Sequence, residues 1–348
     1  MFRFLNSKRT IYFLLMIFFS LGISLLILEL IIRIFLPQKE SMLWIKRDKK
    51  YGYLMKKNFC QKYSYPGVDF VMEVKTNSLG LRGREFNLSE FSDPEIKKVL
   101  LLGDSYTFGY GLNIEDTFGG KLEELLKQSE QRCTLINAGI GGWGTLQALT
   151  YGKDHLNLFR PDIIVLTFCE NDPVDDYKFQ HKLYRADEGL IDFPGKIFLR
   201  SNSHLYRFLF WKFHQIGHTL IVRKKNQDMG MTPKNFTRSD EHASFISKEE
   251  WRKTREYITD FHEAFIRFNP DGILIVQATI PWNIEIRKNL SSLSNGKNLI
   301  YLDLFDETVG LSDKQRHLSY DSHWSEKLHS ISAGKLYETI LSHKKLIS

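Results

Sequence analysis

Residues 97–105 read KKVLLLGDS. Four aliphatic residues, Val99–Leu102, run without a polar interruption and end at a Gly-Asp-Ser turn. A continuous aliphatic run is typical of a strand that is buried on both faces of a parallel sheet, whereas a half-exposed strand alternates apolar and polar residues. The stretch therefore predicts a central strand that delivers a serine, Ser105, to the edge of a sheet.

Further aliphatic runs follow, and segments with the apolar spacing of helices accompany them. The strand-like runs are Cys133–Asn137, Asp162–Phe168, Gly272–Ile280 and Leu299–Leu304, and helical spacing occurs in Phe118–Gln128, Thr145–Leu158, Lys248–Phe268 and Trp324–Leu341. This alternation predicts an α/β fold, a three-layer α/β/α sandwich with a mostly parallel, flavodoxin-like sheet. Functional sites of such sheets lie beyond the carboxyl ends of the strands.

The domain predicted from this pattern covers residues 97–348, and two segments do not follow the pattern. Residues 37–96 are polar and rich in turn residues, so we expect a stalk or lead-in without a core of its own. Residues 173–247 interrupt the alternation with aromatic and basic residues. We interpret them as an insertion or a cap over the site, and a core-packing subdomain without ligand contact is the alternative.

The N-terminal region predicts a membrane anchor. Residues 11–28 form an uncharged apolar run of 18 residues, which is long enough to cross a bilayer, and Pro37 ends its continuation at residue 36. We expect residues 1–10 to be a short tail and residues 11–36 to be an uncleaved transmembrane helix. A cleaved signal peptide and a buried helix of a soluble protein are the alternatives.

Most of the net charge of +7 lies around this apolar run. The first 50 residues contain nine Lys or Arg and three Asp or Glu, which leaves 39 and 38 for the rest of the chain. A nucleic-acid-binding domain needs a cationic face. The composition therefore argues against nucleic acid as a partner and favours the lipid bilayer. Because basic residues stand on both sides of the run, charge alone does not orient the span.

Polar residues suited to acyl transfer follow the predicted strands. Ser105 stands at a strand-to-helix turn, where a serine is either a nucleophile or a helix cap. Residues 137–144 read NAGIGGWG, and glycines there let backbone N–H groups approach a substrate oxygen. Asn171 follows the third strand, where it either donates to an oxyanion or stabilises a turn. Near the C-terminus, His323 has an aspartate, Asp321, two residues before it, and we expect the nearby His317 and His329, which have no such neighbour, to lie at the surface.

The glycine-rich stretch also fits a second chemistry. Gly139, Gly141 and Gly144 match G-x-G-x-x-G after a strand and before a helix, the fingerprint of a dinucleotide-binding turn, with Glu170 as its distal acid. This alternative leaves the other polar strand ends unexplained. No cysteine or histidine spacing typical of a metal site occurs, so we expect neither a metal nor an organic cofactor.

In combination, these segments resemble the SGNH (GDSL-like) hydrolase family, whose four sequence blocks carry Ser, Gly, Asn and His in that order. The matching residues are Ser105 in Gly103-Asp104-Ser105, Gly142 five residues after Asn137, Asn171 before Asp172, and the pair Asp321 and His323. The resemblance covers residues 97–342. The lead-in at residues 76–83, TNSLGLRG, and the apolar N-terminal run resemble the membrane-bound branch of the family.

The resemblance implies a catalytic role for each of these residues. Ser105 is then the nucleophile, His323 its base and Asp321 the residue that orients the imidazole. Gly142 and Asn171 complete an oxyanion hole with the N–H of the serine.

The chain departs from the family pattern at two positions. Cys169 stands where the third block usually begins with glycine, so the backbone there has less freedom. The last block reads D-x-H instead of D-x-x-H, so Asp321 has to reach the histidine through a different geometry.

The function implied by the resemblance is that of a serine-dependent esterase or O-acyltransferase. Acetyl or other acyl esters of cell-envelope carbohydrate are the expected substrates. A lipase or thioesterase is the nearest variant, and a non-catalytic, anchored glycan-binding or scaffold protein is the alternative of a different class. Because an envelope polysaccharide lies outside the cytoplasm, we expect the domain on the extracytoplasmic side, either periplasmic or at the cell surface.

Overall fold

A computed structural model describes residues 8–38, 41–64, 68–129, 132–182, 195–228 and 246–343. The strands in these ranges are β1 (Ile45–Asp48), β2 (Gly52–Met55), β3 (Cys60–Ser64), β4 (Val71–Lys75), β5 (Lys97–Leu102), β6 (Cys133–Asn137), β7 (Ile163–Phe168), β8 (Ile273–Ala278), β9 (Leu299–Tyr301), β10 (His317–Leu318) and β11 (Asp321–Trp324). The helices are α1 (Lys8–Phe35), α2 (Ser105–Phe108), α3 (Phe118–Gln128), α4 (Thr145–Asp154), α5 (Leu156–Phe159), α6 (Asp172–Gln180), α7 (Lys196–Asn202), α8 (His204–Asp228), α9 (Lys248–Phe268), α10 (Ile284–Ser291), α11 (Phe305–Thr308), α12 (Asp313–Arg316) and α13 (Glu326–Ser342).

The central sheet has five parallel strands in the order β6-β5-β7-β8-β9. Numbered along the chain from β5, this is the order 2-1-3-4-5 of flavodoxin-like sheets. All residues of β7 and β8 are buried, as expected for strands covered on both faces. The parallel α/β architecture predicted from the continuous aliphatic runs is confirmed.

Alternate side chains of β5 enter two separate cores. Val99 and Leu101 pack with residues of α3 and α13, whereas Leu100 and Leu102 pack with residues of α4 and α9. Helices therefore cover both faces of the sheet, which confirms the three-layer sandwich. The alternation follows from strand geometry, since successive side chains point to opposite faces.

The predicted stalk is wrong for the residues between α1 and β5. β1 pairs with β2 and β3 with β4 in antiparallel hairpins, and their apolar side chains join the core under α4 and α9. The Trp44 side chain is 2% exposed, and its ring stacks on Phe108 with 5.9 Å between the centroids. In β4, the buried Met72 and Val74 alternate with exposed neighbours. Because this alternation is short and lies among turn residues, the strand could not be recognised from the sequence.

The N-terminal helix α1 is long and apolar enough to cross a membrane over Arg9–Phe35. Its residues 11–28 are exposed, whereas its C-terminal part contacts α8. Residues 183–194 and 229–245 of the predicted insertion lie outside the described residues. The rest of the insertion forms α6, α7 and α8, and α8 contacts α1, α6 and α7. A cap over the site stays a prediction.

Candidate active site

Ser105 begins α2, three residues after Leu102, the end of β5. Gly103 adopts a φ of +147°, and a Cβ at this position would overlap Thr107 Oγ1, so the turn requires glycine. The Asp104 carboxylate accepts a hydrogen bond of 3.0 Å from Tyr106 N and caps the short helix. The turn thus holds the serine just beyond the carboxyl end of the central strand.

A histidine and an aspartate reach Ser105 from the C-terminal hairpin. His323 Nε2 lies 2.7 Å from Ser105 Oγ, and His323 Nδ1 lies 2.5 Å from Asp321 Oδ1. Both residues belong to β11, and residues two apart on a strand point to the same side. This strand is why a D-x-H pair can align. The sequence placed Trp324 in the last helix, but the helix begins at Glu326, after the strand.

Two tyrosine rings enclose His323. The rings of Tyr106 and Tyr110 each lie 4.9 Å from the imidazole, centroid to centroid. The Tyr106 hydroxyl donates to Ser322 O at 3.3 Å, and the Tyr110 hydroxyl lies 2.8 Å from the Tyr63 hydroxyl. These contacts restrict rotation of the imidazole. Neither tyrosine could be picked out from the sequence, although they stand one and five residues after the serine.

The glycine-rich loop after β6 lies beside α2. Asn137 Nδ2 donates to a carbonyl of α2 at 2.9 Å, and Asn137 Oδ1 accepts from Gly139 N at 3.0 Å. A Cβ added at Gly141 would lie 3.5 Å from Ser105 Cβ. Gly142, the next residue, belongs to the same loop and has a φ of +80°, a conformation that favours glycine.

The glycines of the dinucleotide pattern pack closely against protein atoms. A Cβ at Gly139 would overlap the backbone of α2, and one at Gly144 would overlap the Asp176 carboxylate. Glu170, the proposed distal acid, accepts a hydrogen bond of 3.0 Å from Thr279 Oγ1. Atoms of α2 and α6 therefore occupy the space beside these two glycines that a pyrophosphate would need. The geometry therefore favours the acyl-transfer interpretation of this loop.

Asn171 precedes α6 and lies beyond β7, the strand next to β5. Its Nδ2 donates to Asp175 Oδ2 at 2.5 Å, and Asp175 also pairs with Lys178 Nζ at 2.5 Å. An amide nitrogen carries two hydrogens, so this bond orients the amide and leaves a second hydrogen to donate. Cys169 stands at the position usually held by glycine, but its φ is not positive, so the backbone there accepts a side chain. Its N–H donates to Asp172 Oδ2 at 3.2 Å.

Two buried carboxyl groups lie close to the serine turn. Burial raises the pKa of Asp104 to about 6. Burial, together with the negative charge of Asp104, raises the pKa of Asp172 well above its usual value. The positive charge of a protonated His323 lowers the pKa of Asp104.

Arg82, in the lead-in, holds the chain that follows Ser105. Its guanidinium is buried and donates to the carbonyl oxygens of Phe108 at 2.7 Å, Gly109 at 2.8 Å and Leu112 at 2.7 Å. Burial lowers the pKa of this guanidinium to about 10. No spacing in the sequence connects residue 82 with these carbonyls, so its role could not be predicted.

The sequence placed His329 at the surface, and this expectation is wrong. The side chain is 1% exposed, and its Nδ1 accepts a hydrogen bond of 3.0 Å from Phe118 N. Burial lowers the pKa of His329 to about 3, so the ring is neutral near pH 7. Its position on the buried face of α13, under α3, accounts for the difference.

The side chains at this edge of the sheet suit acyl transfer. They provide a hydroxyl, an imidazole in hydrogen-bond contact with it, and a carboxylate that fixes the imidazole. Among the described residues, no group of three or more His, Cys, Asp or Glu side chains is placed to hold a metal ion.

Comparison with known proteins gives one family match and one curated relative. The model of the GDSL-like lipase/acylhydrolase family matches residues 101–333. A curated protein named arylesterase, from Vibrio mimicus, is 28% identical over 109 residues. These residues make up 31% of this chain and 46% of the relative, so the chain spans less than half the length of that relative.

Several solved structures have a similar fold. A family 3 carbohydrate esterase of Clostridium thermocellum is 15% identical, with a TM-score of 0.41, over 73% of this chain and 100% of that chain. TesA is 10% identical, with a TM-score of 0.43, over 71% and 99%. A two-domain esterase (CEX) active on acetylated mannans is 12% identical, with a TM-score of 0.41, over 74% and 52%.

Proposed function

The chain belongs to the GDSL-like lipase/acylhydrolase family, and we propose that it is a serine-dependent ester hydrolase or O-acyltransferase with Ser105 as its nucleophile. The observation that carries this proposal is the continuous hydrogen-bonded series from Ser105 Oγ through His323 to Asp321, with contacts of 2.7 and 2.5 Å. A serine hydroxyl needs an adjacent base to become nucleophilic, and the imidazole is within reach.

In the first step, Ser105 Oγ attacks the ester carbonyl carbon while its proton moves to His323 Nε2. The imidazolium is stabilised by the Asp321 carboxylate on Nδ1. When the tetrahedral intermediate collapses, the bond to the leaving alcohol breaks and the histidine protonates that alcohol. Water or an acceptor hydroxyl then gives its proton to the histidine and attacks the acyl carbonyl carbon. When this second tetrahedral intermediate collapses, the bond to Ser105 Oγ breaks, the histidine returns the proton to Ser105 Oγ, and the acid or the new ester leaves.

The oxyanion of the tetrahedral intermediate needs donors that are oriented before the reaction. We assign this role to the backbone N–H groups of Ser105 and Gly142 and to the amide of Asn171. The loop position of Gly142 beside the serine supports the assignment, as does the bond from Asn171 to Asp175 that holds the amide in one orientation.

The substrate class that we propose is an acyl ester, above all an acetyl ester, of cell-envelope carbohydrate. Partly exposed aromatic rings near His323 support a sugar substrate, since the apolar face of a sugar ring packs on an aromatic face. Tyr320 is one of them, and its ring stacks on that of Phe70 with 6.4 Å between the centroids. Its hydroxyl donates to Gly111 O at 2.7 Å, which fixes the ring beside the site.

We further propose that α1 stays attached as a membrane anchor. Its Glu29 carboxylate accepts hydrogen bonds from Ser203 Oγ at 2.8 Å, His204 N at 3.0 Å and Leu205 N at 2.8 Å. Cleavage of the helix as a signal peptide would leave these donors at the start of α8 without their acceptor. We also propose that the domain that follows acts on the extracytoplasmic side, because an envelope polysaccharide lies there.

Hydrolysis of p-nitrophenyl acetate by the full chain in lipid nanodiscs tests the proposal. Ser105→Ala should abolish turnover without loss of folding, while Ser330→Ala, at an exposed serine of α13, should turn over like the wild type. A fluorophosphonate should label Ser105 alone. Wild-type turnover by Ser105→Ala, or a different labelled serine, would refute the assignment. A wild type that neither hydrolyses esters nor takes the label would favour the non-catalytic scaffold.

Release of acetate from an acetylated polysaccharide, compared with hydrolysis of a long-chain p-nitrophenyl ester, tests the substrate class. We expect the acetylated polysaccharide to be preferred, and preference for the long chain would favour the lipase variant. Transfer is distinguished from hydrolysis by adding a sugar acceptor, because only a transferase forms the new ester at the expense of free acetate.

A further inference from the structure

Helix α8 carries an exposed apolar stripe. Leu209, Phe213, Ile216 and Leu220 are 44%, 70%, 57% and 57% exposed. Their spacing of four, three and four residues places them on one face of the helix. Such a face normally packs against a core or a partner, because leaving it in water forfeits about 25 cal/mol for each Å² of apolar surface.

The start of α8 is fixed to the C-terminal part of α1. Besides the bonds from the first residues of α8 to Glu29, Arg33 Nη2 donates to Asn202 O at 2.6 Å. Gln38 N also donates to His204 Nδ1 at 2.9 Å. Glu29 lies six residues before Phe35, the end of α1, which is about 9 Å along a helix axis. If α1 crosses the membrane, α8 therefore begins at the level of the bilayer interface.

Helix α7 adds apolar surface at the same place. Ile197 and Phe198 are 65% and 67% exposed. Ser41, which follows the anchor, donates through Oγ to Arg200 O at 3.1 Å and ties α7 to the chain leaving α1. Two adjacent helices thus present apolar side chains beside the membrane end of the anchor.

Polar residues flank the stripe of α8 on one side. Gln215 and Thr219 are exposed there, and Lys212 lies at the border of the stripe with its Nζ 5.7 Å from the centre of the Phe208 ring. An apolar face bordered by a lysine whose stem packs on an aromatic ring is typical of a helix that lies in the membrane interface.

We propose that the apolar stripe of α8 (Leu209, Phe213, Ile216 and Leu220) lies in the lipid bilayer interface as a second membrane contact beside α1. This inference rests on the proposed anchor, which brings the bilayer to the helix and makes lipid the occupant of the stripe. A single transmembrane helix leaves a domain free to tilt, whereas two contacts restrict its orientation. The edge of the sheet that carries Ser105 is then held in one orientation relative to the membrane.

A polarity-sensitive fluorophore on single introduced cysteines tests the contact in the full chain. The background is Cys60→Ser, since Cys60 is the exposed cysteine of the described residues, and the labelled background serves as the blank. Phe213→Cys carries the probe on the stripe, and Gln215→Cys carries it on the polar flank of the same helix, away from the stripe. Leu15→Cys reports on the anchor. Nitroxide lipids in the nanodisc supply the quencher.

We expect the probe at Phe213 to emit at shorter wavelength and to be quenched at least about twofold more than the probe at Gln215, as for a helix lying with one face in the acyl boundary. All positions are exposed, and unchanged ester turnover checks that the variants fold. Equal quenching at both positions overturns the proposal. A blue-shifted probe at Phe213 that lipid nitroxides do not quench also overturns it, because a protein surface would then cover the stripe.

The probe at Leu15 separates the two levels of inference. If it is quenched and the probe at Phe213 is not, the second contact fails and the anchor stands. If neither is quenched, the anchor fails and the contact of α8 fails with it.

Discussion

At the scale of single residues, the geometry of the site depends on the alternation of side chains in β11. Asp321 and His323 are separated by one residue, and the strand turns Ser322 to the other side. The Asp321 carboxylate holds the imidazole with Nε2 directed at Ser105 Oγ. A neutral amide at position 321 would keep the shape and remove the charge.

Asp321→Asn should therefore lower kcat by about three to four orders of magnitude with little change in KM, because the imidazole loses its tautomer and its counter-charge. Asp313→Asn is the matched control: Asp313 lies 2.9 Å from His317 Nδ1 in an exposed Asp–His pair and should be dispensable. Ester hydrolysis by purified protein gives both constants. Near wild-type kcat in Asp321→Asn would mean that this carboxylate has no part in the reaction.

His329 makes a prediction about stability and pH. The folded ring has a pKa of about 3, whereas in the unfolded chain it titrates near 6.5, so only the unfolded chain binds a proton between these values. Stability is then lost as the pH falls below 6.5, by about 1.4 kcal/mol per pH unit for one proton. His329→Asn keeps an acceptor for Phe118 N and removes the titration.

Urea unfolding between about pH 4.5 and 7 should show a free energy of unfolding that falls less steeply with acid in His329→Asn than in the wild type. The difference between the two slopes isolates this histidine from other titrating groups. Parallel slopes would mean that the buried ring is protonated at little cost, contrary to its burial.

Ser105, Asp321 and His323 could be selected from the sequence because each stands beside a local signal, a strand end or a short motif. The residues that surround them could not. Tyr110 contacts the imidazole and Arg82 binds three carbonyls after the serine, but both meet their partners only through the tertiary fold. The expectation for His329 was wrong for the same reason, because contact with α3, which is distant in the sequence, buries its ring.

At the scale of elements, the lead-in before β5 contacts the turn that follows Ser105. Arg82 follows β4, and its guanidinium spans carbonyl oxygens from residue 108 to residue 112. Those carbonyls lie in the turn that ends α2 and have one buried cation as their shared partner. The position of the turn after Ser105 therefore depends on a segment that the sequence suggested was a stalk.

Arg82→Met should lower the free energy of unfolding by more than about 3 kcal/mol, because it removes the buried guanidinium that donates to the carbonyl oxygens of Phe108 and Leu112. Arg132→Met is the matched control, since Arg132 is 62% exposed and its ion pair with Asp93 should contribute less than about 1 kcal/mol. Urea unfolding measures both. Equal effects of the two substitutions would show that water replaces the guanidinium at the turn.

At the scale of the whole molecule, the central sheet was predictable and the hairpins that pack against the sandwich were not. A parallel strand that is buried on both faces can be recognised from its own continuous aliphatic run, as in Ile163–Phe168. The antiparallel strands of the hairpins have only four or five residues, and only some of these are buried, as in Ile45–Asp48 and Gly52–Met55. Their burial is set by where the sandwich offers apolar surface, which is a property of the assembled fold.

The orientation of the molecule in the membrane is the last expectation that the fold informs. Five basic residues follow the span, two more than precede it, and positive charges in short loops favour the cytoplasm. Lys46 and Arg47 are, however, part of β1, and Lys50 Nζ pairs with Asp154 Oδ2 at 2.7 Å. These charges belong to a folded domain rather than to a short loop, and large domains cross the membrane largely regardless of charge.

We therefore predict that residues 38–348 face away from the cytoplasm. Alkaline phosphatase fused after Ser348 should be active, because this reporter folds only outside the cytoplasm, and a fluorescent protein that folds only inside should stay dark at the same position. Fusions placed before Met1 should give the opposite pair of signals. The reverse result at Ser348 would place the domain in the cytosol, and Ser105 would then have to act on an intracellular ester rather than on envelope carbohydrate.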